Sequence, residues 1–338
     1  MRAIVLTRPR EVEVVRDWPE PDLGPGEVLV AMRAVGLCGS DLSVYDGHRT
    51  TPRLPWVMGH EGGGEIVAVG PDVTDRRPGQ RVVIEPNYGC FDCAACRDGF
   101  TSACTRRLSV GMNIPGLLAE RVAVPARYAW PVPPGVSDEA FACVEPLTVA
   151  RAAVRRSGVG AGDECLVVGA GSQGLFVCQS LLAAGARAHV TEPHEGRAAL
   201  AERLGARPIA PEDMRDFPVV FDTVGIPAAW ETSVRAVATG GTIVMIGMGA
   251  EPVPMSTMDL TKRHLVIRGS LIYDHPHDFA EAVAALADGP LAGGALAPTR
   301  VLHTEATPAG AVGAFARART APGKSWINLT GRPGVWDG

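Results

Sequence analysis

Cys165-Leu166-Val167-Val168-Gly169-Ala170-Gly171-Ser172-Gln173-Gly174 is the stretch on which the fold turns. Its first four residues form a continuous apolar run of the buried-strand type. The G-x-G-x-x-G that follows, Gly169 to Gly174, opens a helical pattern reaching about Ala184. A second strand is expected at Ala188-His189-Val190-Thr191, closed by an acid, Glu192, about 20 residues after the turn. In a glycine-rich chain the three glycines alone are a weak signal, and a ligand-free strand–helix turn is the plain alternative. Strand, turn, helix, second strand and acid together make a dinucleotide-binding turn. Gly169 then allows the tight turn, Gly171 lets a pyrophosphate approach the backbone, and Gly174 lets helix and strand pack. Ser172 and Gln173 begin the helix whose N-terminus faces the phosphates. Glu192 suits the adenosine ribose hydroxyls and repels a 2′-phosphate, which favours NAD over NADP. His194 and Arg197 lie just beyond, where an arginine could reach such a phosphate; the plainer reading of both is a solvated helix face.

Downstream, the alternation of strand and helix continues. A helix is expected around Arg197 to Leu204, then strands at Val219-Val220-Phe221, Thr242 to Ile246 and Leu265 to Arg268. Strands separated by helices imply a parallel sheet. Asp222-Thr223-Val224-Gly225 and Ile246-Gly247 close two of its strands on the ligand side, so Val224 and Ile246 are expected to line the nicotinamide half of the cofactor site. Further on, helices are expected near His277 to Leu286 and Pro308 to Arg319, and a last strand at Ser325 to Leu329. Upstream the texture differs. Short strands such as Val28 to Met32 and Arg81 to Ile84 follow Gly/Pro turns, which indicates a β-rich first section. No internal repeat is present.

With 338 residues, two domains are expected. A net charge of −5 and the absence of a basic stripe argue against nucleic acid as a partner. No apolar run approaches the ~20 residues that span a bilayer, so no membrane partner is expected. The first residues lack the apolar stretch of a signal peptide, and a cytoplasmic protein with reduced cysteines is expected. Lys262 and Lys324 are the only lysines, a bias read as a GC-rich codon preference without mechanistic weight.

Cys90, Cys93, Cys96 and Cys104 form C-x2-C-x2-C-x7-C. Four thiolates this close suit a closed tetrahedral zinc, which leaves no open position and is therefore structural. The competing metal is an iron–sulfur cluster, whose ferredoxin-like spacing the first three cysteines share. Cys38-Gly39-Ser40-Asp41 and Gly59-His60-Glu61 form a second constellation. Each of those residues alone would be read as structural.

Taken with the turn and the four cysteines, they give the chain a resemblance to the zinc-containing medium-chain dehydrogenase/reductase superfamily. The resemblance runs from Gly24-Pro25-Gly26-Glu27-Val28 through Gly59-His60-Glu61-Gly62-Gly63-Gly64 to Glu145-Pro146-Leu147 and the glycine turn. It implies an α/β fold with a GroES-like β-rich catalytic domain, residues 1–148 and 271–338, around a Rossmann cofactor domain, residues 149–270. It also implies a homodimer or homotetramer. A catalytic Zn2+ would be held by Cys38 and His60, with Glu61 and Glu145 serving near the metal as in the sorbitol and threonine dehydrogenase branch. Cys143 is a rival for Glu145, since a strand would point both to one face. Ser40 would take the substrate proton, and Asp41 would orient the His60 imidazole. The relay histidine of many relatives is replaced here by Ser43, which puts the outer proton path in question.

The function implied is hydride transfer between a nicotinamide cofactor and a secondary alcohol or ketone of a polyol, sugar, aminocyclitol or amino alcohol. The zinc acts there as a Lewis acid. Two other readings share these features: a reductase of activated C=C bonds on the same scaffold, and a zinc-stabilised nucleotide-binding protein without turnover.

Overall fold

The computed structural model describes residues 1–286, 296–330 and Trp336. Its contacts divide the chain into two compact units. The first is Met1–Glu145, Phe279–Ala287 and Leu302–Gly338; the second is Pro146–Asp278 and Asp288–Val301. The sequence reading draws its boundaries at 148/149 and 270/271.

The first unit is β-rich. Strands β1 (Ala3–Arg8), β2 (Glu11–Val15) and β4 (Trp56–Val57) make a three-stranded sheet in the order β2-β1-β4. A seven-stranded sheet contains β3 (Glu27–Gly36), β5 (Glu61–Val69), β6 (Arg81–Ile84), β9 (Arg121–Pro125), β10 (Ala129–Pro131), β17 (Leu302–Ala306) and β18 (Lys324–Asn328). Its path is β10-β6-β5-β3-β18-β17, with β9 pairing β3. β3 sits at the centre because its residues alternate: Val28, Val30, Met32 and Ala34 all turn inward. Val28, Val30 and Met32 join one apolar core with Ile4, Ile66, Ile84, Val124 and Ile327, drawn from the other strands. The two-stranded pair β7 (Asn87–Tyr88) and β8 (Leu108–Ser109), with helix α2 (Ala94–Arg97) between them, carries the four cysteines as a small lobe. Helices α1 (Gly39–Tyr45), α8 (His277–Ala285) and α9 (Ala311–Ala318) complete the elements outside the sheets, α8 beginning just before the boundary at Phe279.

The second unit is a doubly wound sheet. Its strands are β11 (Glu164–Val168), β12 (Arg187–Thr191), β13 (Arg207–Pro208), β14 (Phe217–Asp222), β15 (Val237–Met245) and β16 (Val266–Gly269). Every pair is parallel, in the order β13-β12-β11-β14-β15-β16. The order reverses between β11 and β14, which opens a crevice beyond their carboxyl ends. The crossovers carry α4 (Ser172–Ala183), α5 (Glu195–Arg203), α6 (Pro227–Ala236) and α7 (Thr257–Lys262). Apolar strand residues Leu166, Val168, Val220 and Ile243 pack against Trp230 and Ala229 of α6.

One expectation is corrected here. Cys143 and Glu145 lie not on a strand but in helix α3 (Phe141–Ser157). Leu147, Ala150, Ala152 and Ala153 are all buried on it, and this burial, with good helix formers, carries the helix through Pro146. The proline removes only one intrahelical bond, the one to the Ala142 carbonyl. Two residues apart on a helix means roughly 200° around its axis. Cys143 and Glu145 therefore do not share one helix face, although both lie close enough to Glu61 and Lys324 to feel their charges.

Candidate active site

Cys38 leads into α1, and Glu61 opens β5 with His60 immediately before it. Their ligand atoms lie within 4.8 Å of one another. Asp41, fully buried in the first turn of α1, organises this group. Its Oδ2 accepts from the Cys38 amide at 3.0 Å, and its Oδ1 accepts from the Gly59 amide at 3.1 Å. The same Oδ1 stands 3.2 Å from His60 Nδ1. A carboxylate only accepts, so His60 Nδ1 donates to Asp41, and Nε2 is the ring atom that a cation would take in place of its proton. Burial alone would lower the His60 pKa; the Asp41 charge and hydrogen bond, with Cys38, hold it well above its ordinary value. Ser40 Oγ is 3.5 Å from that same Nε2. A thiol, an oriented imidazole and a carboxylate form a donor set that fits zinc and leaves one side of the ion open. Glu145 lies outside the 4.8 Å group. Its carboxyl is buried, and burial pushes it up to about 7 while the His60 charge pulls the other way.

The cysteine lobe brings the Sγ atoms of Cys90, Cys93, Cys96 and Cys104 within 4.8 Å of one another. Cys90 Sγ and Cys96 Sγ are 4.0 Å apart. Thiolates around one tetrahedral zinc stand roughly 3.8 Å apart, from Zn–S bonds of about 2.3 Å. The spacing fits a single ion better than a multi-iron cluster. Backbone N–H groups face the sulfurs: Cys93 donates to Cys90 Sγ and Cys90 to Cys104 Sγ, both at 3.4 Å. The Asp92 and Cys93 amides bring the Cys90 thiol down to about 6, against burial, so a thiolate is available near neutral pH.

In the second unit the glycine turn has the expected form. Gly169 has φ +91°, and a Cβ there would stand 2.4 Å from Val224 Cγ2. At Gly174 a Cβ would meet the Gly169 carbonyl at 2.0 Å, so only glycine lets α4 approach β11 this closely. Gly171 differs: a Cβ there would meet nothing within 4 Å. It caps α4 without any side-chain hydrogen bond, and Ser172 Oγ beside it is buried with no partner. Open space, uncapped amides and an orphaned hydroxyl at one helix N-terminus fit a pyrophosphate.

Two family models match the chain: the alcohol dehydrogenase GroES-like domain over residues 24–134 and the zinc-binding dehydrogenase domain over 174–288. L-galactonate-5-dehydrogenase of Escherichia coli K12 is 31% identical over 304 residues, covering 86% of this chain and 88% of its own. The chain belongs to the zinc-containing medium-chain dehydrogenase/reductase superfamily, in its polyol dehydrogenase branch.

Two solved structures resemble it closely. A zinc-binding dehydrogenase of Sinorhizobium meliloti 1021, bound to NADP, shares 27% identity with a TM-score of 0.88 over 97% of this chain and 99% of its own. A structure described as a short chain alcohol dehydrogenase of Escherichia coli CFT073, with NADH, shares 26% at the same TM-score and coverage. Like its relatives, this medium-chain dehydrogenase/reductase is a nicotinamide-dependent oxidoreductase.

Most residues expected at this dehydrogenase's cofactor site gather in its second unit. Glu192 accepts from the Ala170 amide at 2.8 Å and the His194 amide at 2.9 Å, so it braces the turn it was expected to serve. Gln173 Nε2 donates to the Pro146 carbonyl at 3.3 Å. The Val224 amide donates to Asp222 Oδ1 and the Ile246 amide to the Asp222 carbonyl, which joins the two loops at one strand end. Arg197 is half-buried, and His194 is exposed. Among the described residues, no helix is long and apolar enough to cross a membrane. The sequence reading missed Lys324, whose Nζ pairs with Glu61. Its one signal was rarity, and that was assigned to codon preference.

Proposed function

We propose that the chain interconverts a secondary hydroxyl and a ketone on a small polyol, sugar, aminocyclitol or amino alcohol, with NAD as the preferred cofactor. The observation that carries this is the Cys38–His60–Glu61 group, with Asp41 fixing the imidazole for a cation. When bound there, zinc supplies Lewis acidity to an alcohol oxygen and the nicotinamide accepts the hydride. The chain's own residues do the rest. Asp41 holds Cys38 and His60 in register through three hydrogen bonds. Ser40 takes the substrate proton and passes on its own, a relay that a hydroxyl performs without a shifted pKa. Ser43 is not the next carrier: its Oγ donates to the Gly39 carbonyl at 3.0 Å within α1. Beyond Ser40, the proton's path would therefore not run through Ser43. Glu145 is the reserve carboxylate of the site, and the four-cysteine lobe holds a second, structural zinc. Glu192 sets NAD preference by placing a negative charge against the adenosine ribose.

A homodimer or homotetramer is the assembly we propose. Its support is β16, an outer strand whose Val266 and Ile267 are 44% and 43% exposed. The test of function is a dehydrogenase screen of the zinc-replete enzyme over polyols, sugars and amino alcohols with both cofactors. Turnover of a secondary alcohol that needs Cys38 and His60 supports the reading. Turnover only of activated C=C bonds, or none with any alcohol or ketone, refutes it.

A further inference from the structure

Asp222, the last residue of β14, is fully buried and carries more of its surroundings than a strand end needs. Its side-chain Oδ1 accepts from the Val224 and Gly225 amides, both at 2.9 Å. Its backbone carbonyl accepts from the Ile246 amide at 2.8 Å and the Gly247 amide at 3.0 Å. The two loops it gathers touch backbone to backbone. A Cβ on Gly247 would stand 2.3 Å from the Val224 carbonyl carbon, and one on Gly225 2.5 Å from that of Gly247. The other oxygen, Oδ2, is served poorly. Ser233 Oγ lies 3.4 Å from it but only 2.9 Å from the Ala229 carbonyl, and a hydroxyl has one proton to give. Among the described residues no lysine, arginine or histidine pairs with this carboxylate. The N-terminus of α6 follows at Pro227, and a helix end answers at most about half a charge.

The loops alone do not account for that charge. Asparagine would hold the same four amides, since its side-chain oxygen accepts as a carboxylate oxygen does. It would do so without the cost of burying an ion. A cation that comes and goes does account for it. Val224 and Ile246, whose amides Asp222 holds, are the residues expected to line the nicotinamide half of the crevice beyond β11 and β14. We propose that Asp222 is a specificity-determining residue for the oxidation state of the cofactor, its buried charge favouring the nicotinamide cation over the neutral reduced ring. The proposal rests on the nicotinamide reading of that crevice. Hydride leaves the alcohol carbon with its electron pair, bonds to the ring and cancels the ring's positive charge, while the hydroxyl proton departs separately. Asp222 therefore attracts the ring before the transfer and not after it, so it helps NAD+ to bind and NADH to leave.

The test measures binding to the full-length, zinc-replete enzyme without substrate. NADH is followed by its fluorescence, and NAD+ and ADP-ribose by its displacement. In Asp222→Asn the ratio of the NAD+ Kd to the NADH Kd is expected to rise roughly ten-fold, the order expected of one charge acting across a partly buried site and not in contact. ADP-ribose has no nicotinamide and is expected to bind as it does to the native enzyme. Asp222→Glu keeps the charge and is expected to keep the native ratio, even where its length weakens all three ligands. If the asparagine variant does not fold, Asp222→Ser runs the same assay with the same expectation. An unchanged ratio in the neutral variant would overturn the proposal, whether or not ADP-ribose weakens, because Asp222 would then only shape the loops. Native enzyme that held NAD+ and NADH no differently from ADP-ribose would instead refute the nicotinamide reading of the crevice, whatever the Asp222 variants do.

Discussion

Ser40 is placed to test the proton path one atom at a time. Its hydroxyl sits 3.5 Å from His60 Nε2, whereas the Ser43 hydroxyl is committed to its own helix. Ser40→Ala is expected to lower kcat by roughly 100-fold, the lower end for losing acid–base assistance. Ser43→Ala should change it little. The measurement is steady-state kcat with a deuterated alcohol, to establish that hydride transfer limits both enzymes; a full kcat in Ser40→Ala would assign the proton elsewhere. Glu192 allows a second test. Both of its oxygens brace backbone amides, so Glu192→Ala would disturb the turn as well as remove the charge. Glu192→Gln keeps one of the two acceptors and removes the charge, so it disturbs the turn less than alanine does. The ratio of kcat/KM for NAD to that for NADP is expected to favour NAD in the native enzyme and to fall roughly ten-fold in the variant, a change of about 1.4 kcal/mol. A native preference for NADP would show that Arg197 or His194 outweighs the carboxylate. Cys38, His60 and Glu61 were legible in the sequence because their motifs are local. Lys324 was not, because its role depends on Glu61, 263 residues away in the chain.

Asp46, at the end of α1, ties three elements of the first unit together. It accepts from Arg10 Nε at 3.0 Å and from Arg319 Nη2 at 2.6 Å, linking the β1–β2 turn and the end of α9 to α1. Burial would raise its pKa, but the hydrogen bonds from Arg319 and Arg10 outweigh it and hold the carboxyl below its ordinary value. A depressed folded pKa stabilises the fold above the unfolded carboxylate value and stops doing so as pH falls through the folded one. Asp46→Asn is therefore expected to cost about 0.5–1 kcal/mol at neutral pH, a small figure because both arginines are solvent-exposed. The gap between variant and native enzyme in urea unfolding should narrow as pH falls below the ordinary carboxylate range. A gap that does not narrow would mean that the carboxylate charge is not what binds the three elements. Strands such as β11 and β14 could be read from sequence, since continuous apolar runs have few other uses. Helix α3 could not: Pro146 reads as a breaker, and the burial that overrides it is a property of the folded unit.

Across the whole molecule the two candidate metal positions differ in their donors. The lobe between Asn87 and Ser109 brings four sulfurs together, while the Cys38–His60–Glu61 group offers three donors of mixed kind. Freshly purified enzyme is expected to hold two zincs per chain. Mild chelation should remove the catalytic one first, with activity falling while far-ultraviolet circular dichroism holds. One zinc or none in fresh protein would contradict this. The buried Lys324 also changes how the folded chain meets amine chemistry. Of the two lysines, only Lys262 is exposed, and the N-terminal amine is held by the Trp18 carbonyl and Glu20. An acylating reagent should therefore place one ε-amine label on the native protein, at Lys262. A second ε-label, at Lys324, appears only when the sheet that holds β18 opens, so mass spectrometry of a brief acylation pulse counts opened molecules directly. Lysine-directed cross-linkers, by the same reasoning, will report this chain as a monomer whatever its assembly, unless two Lys262 side chains happen to stand within reach of each other.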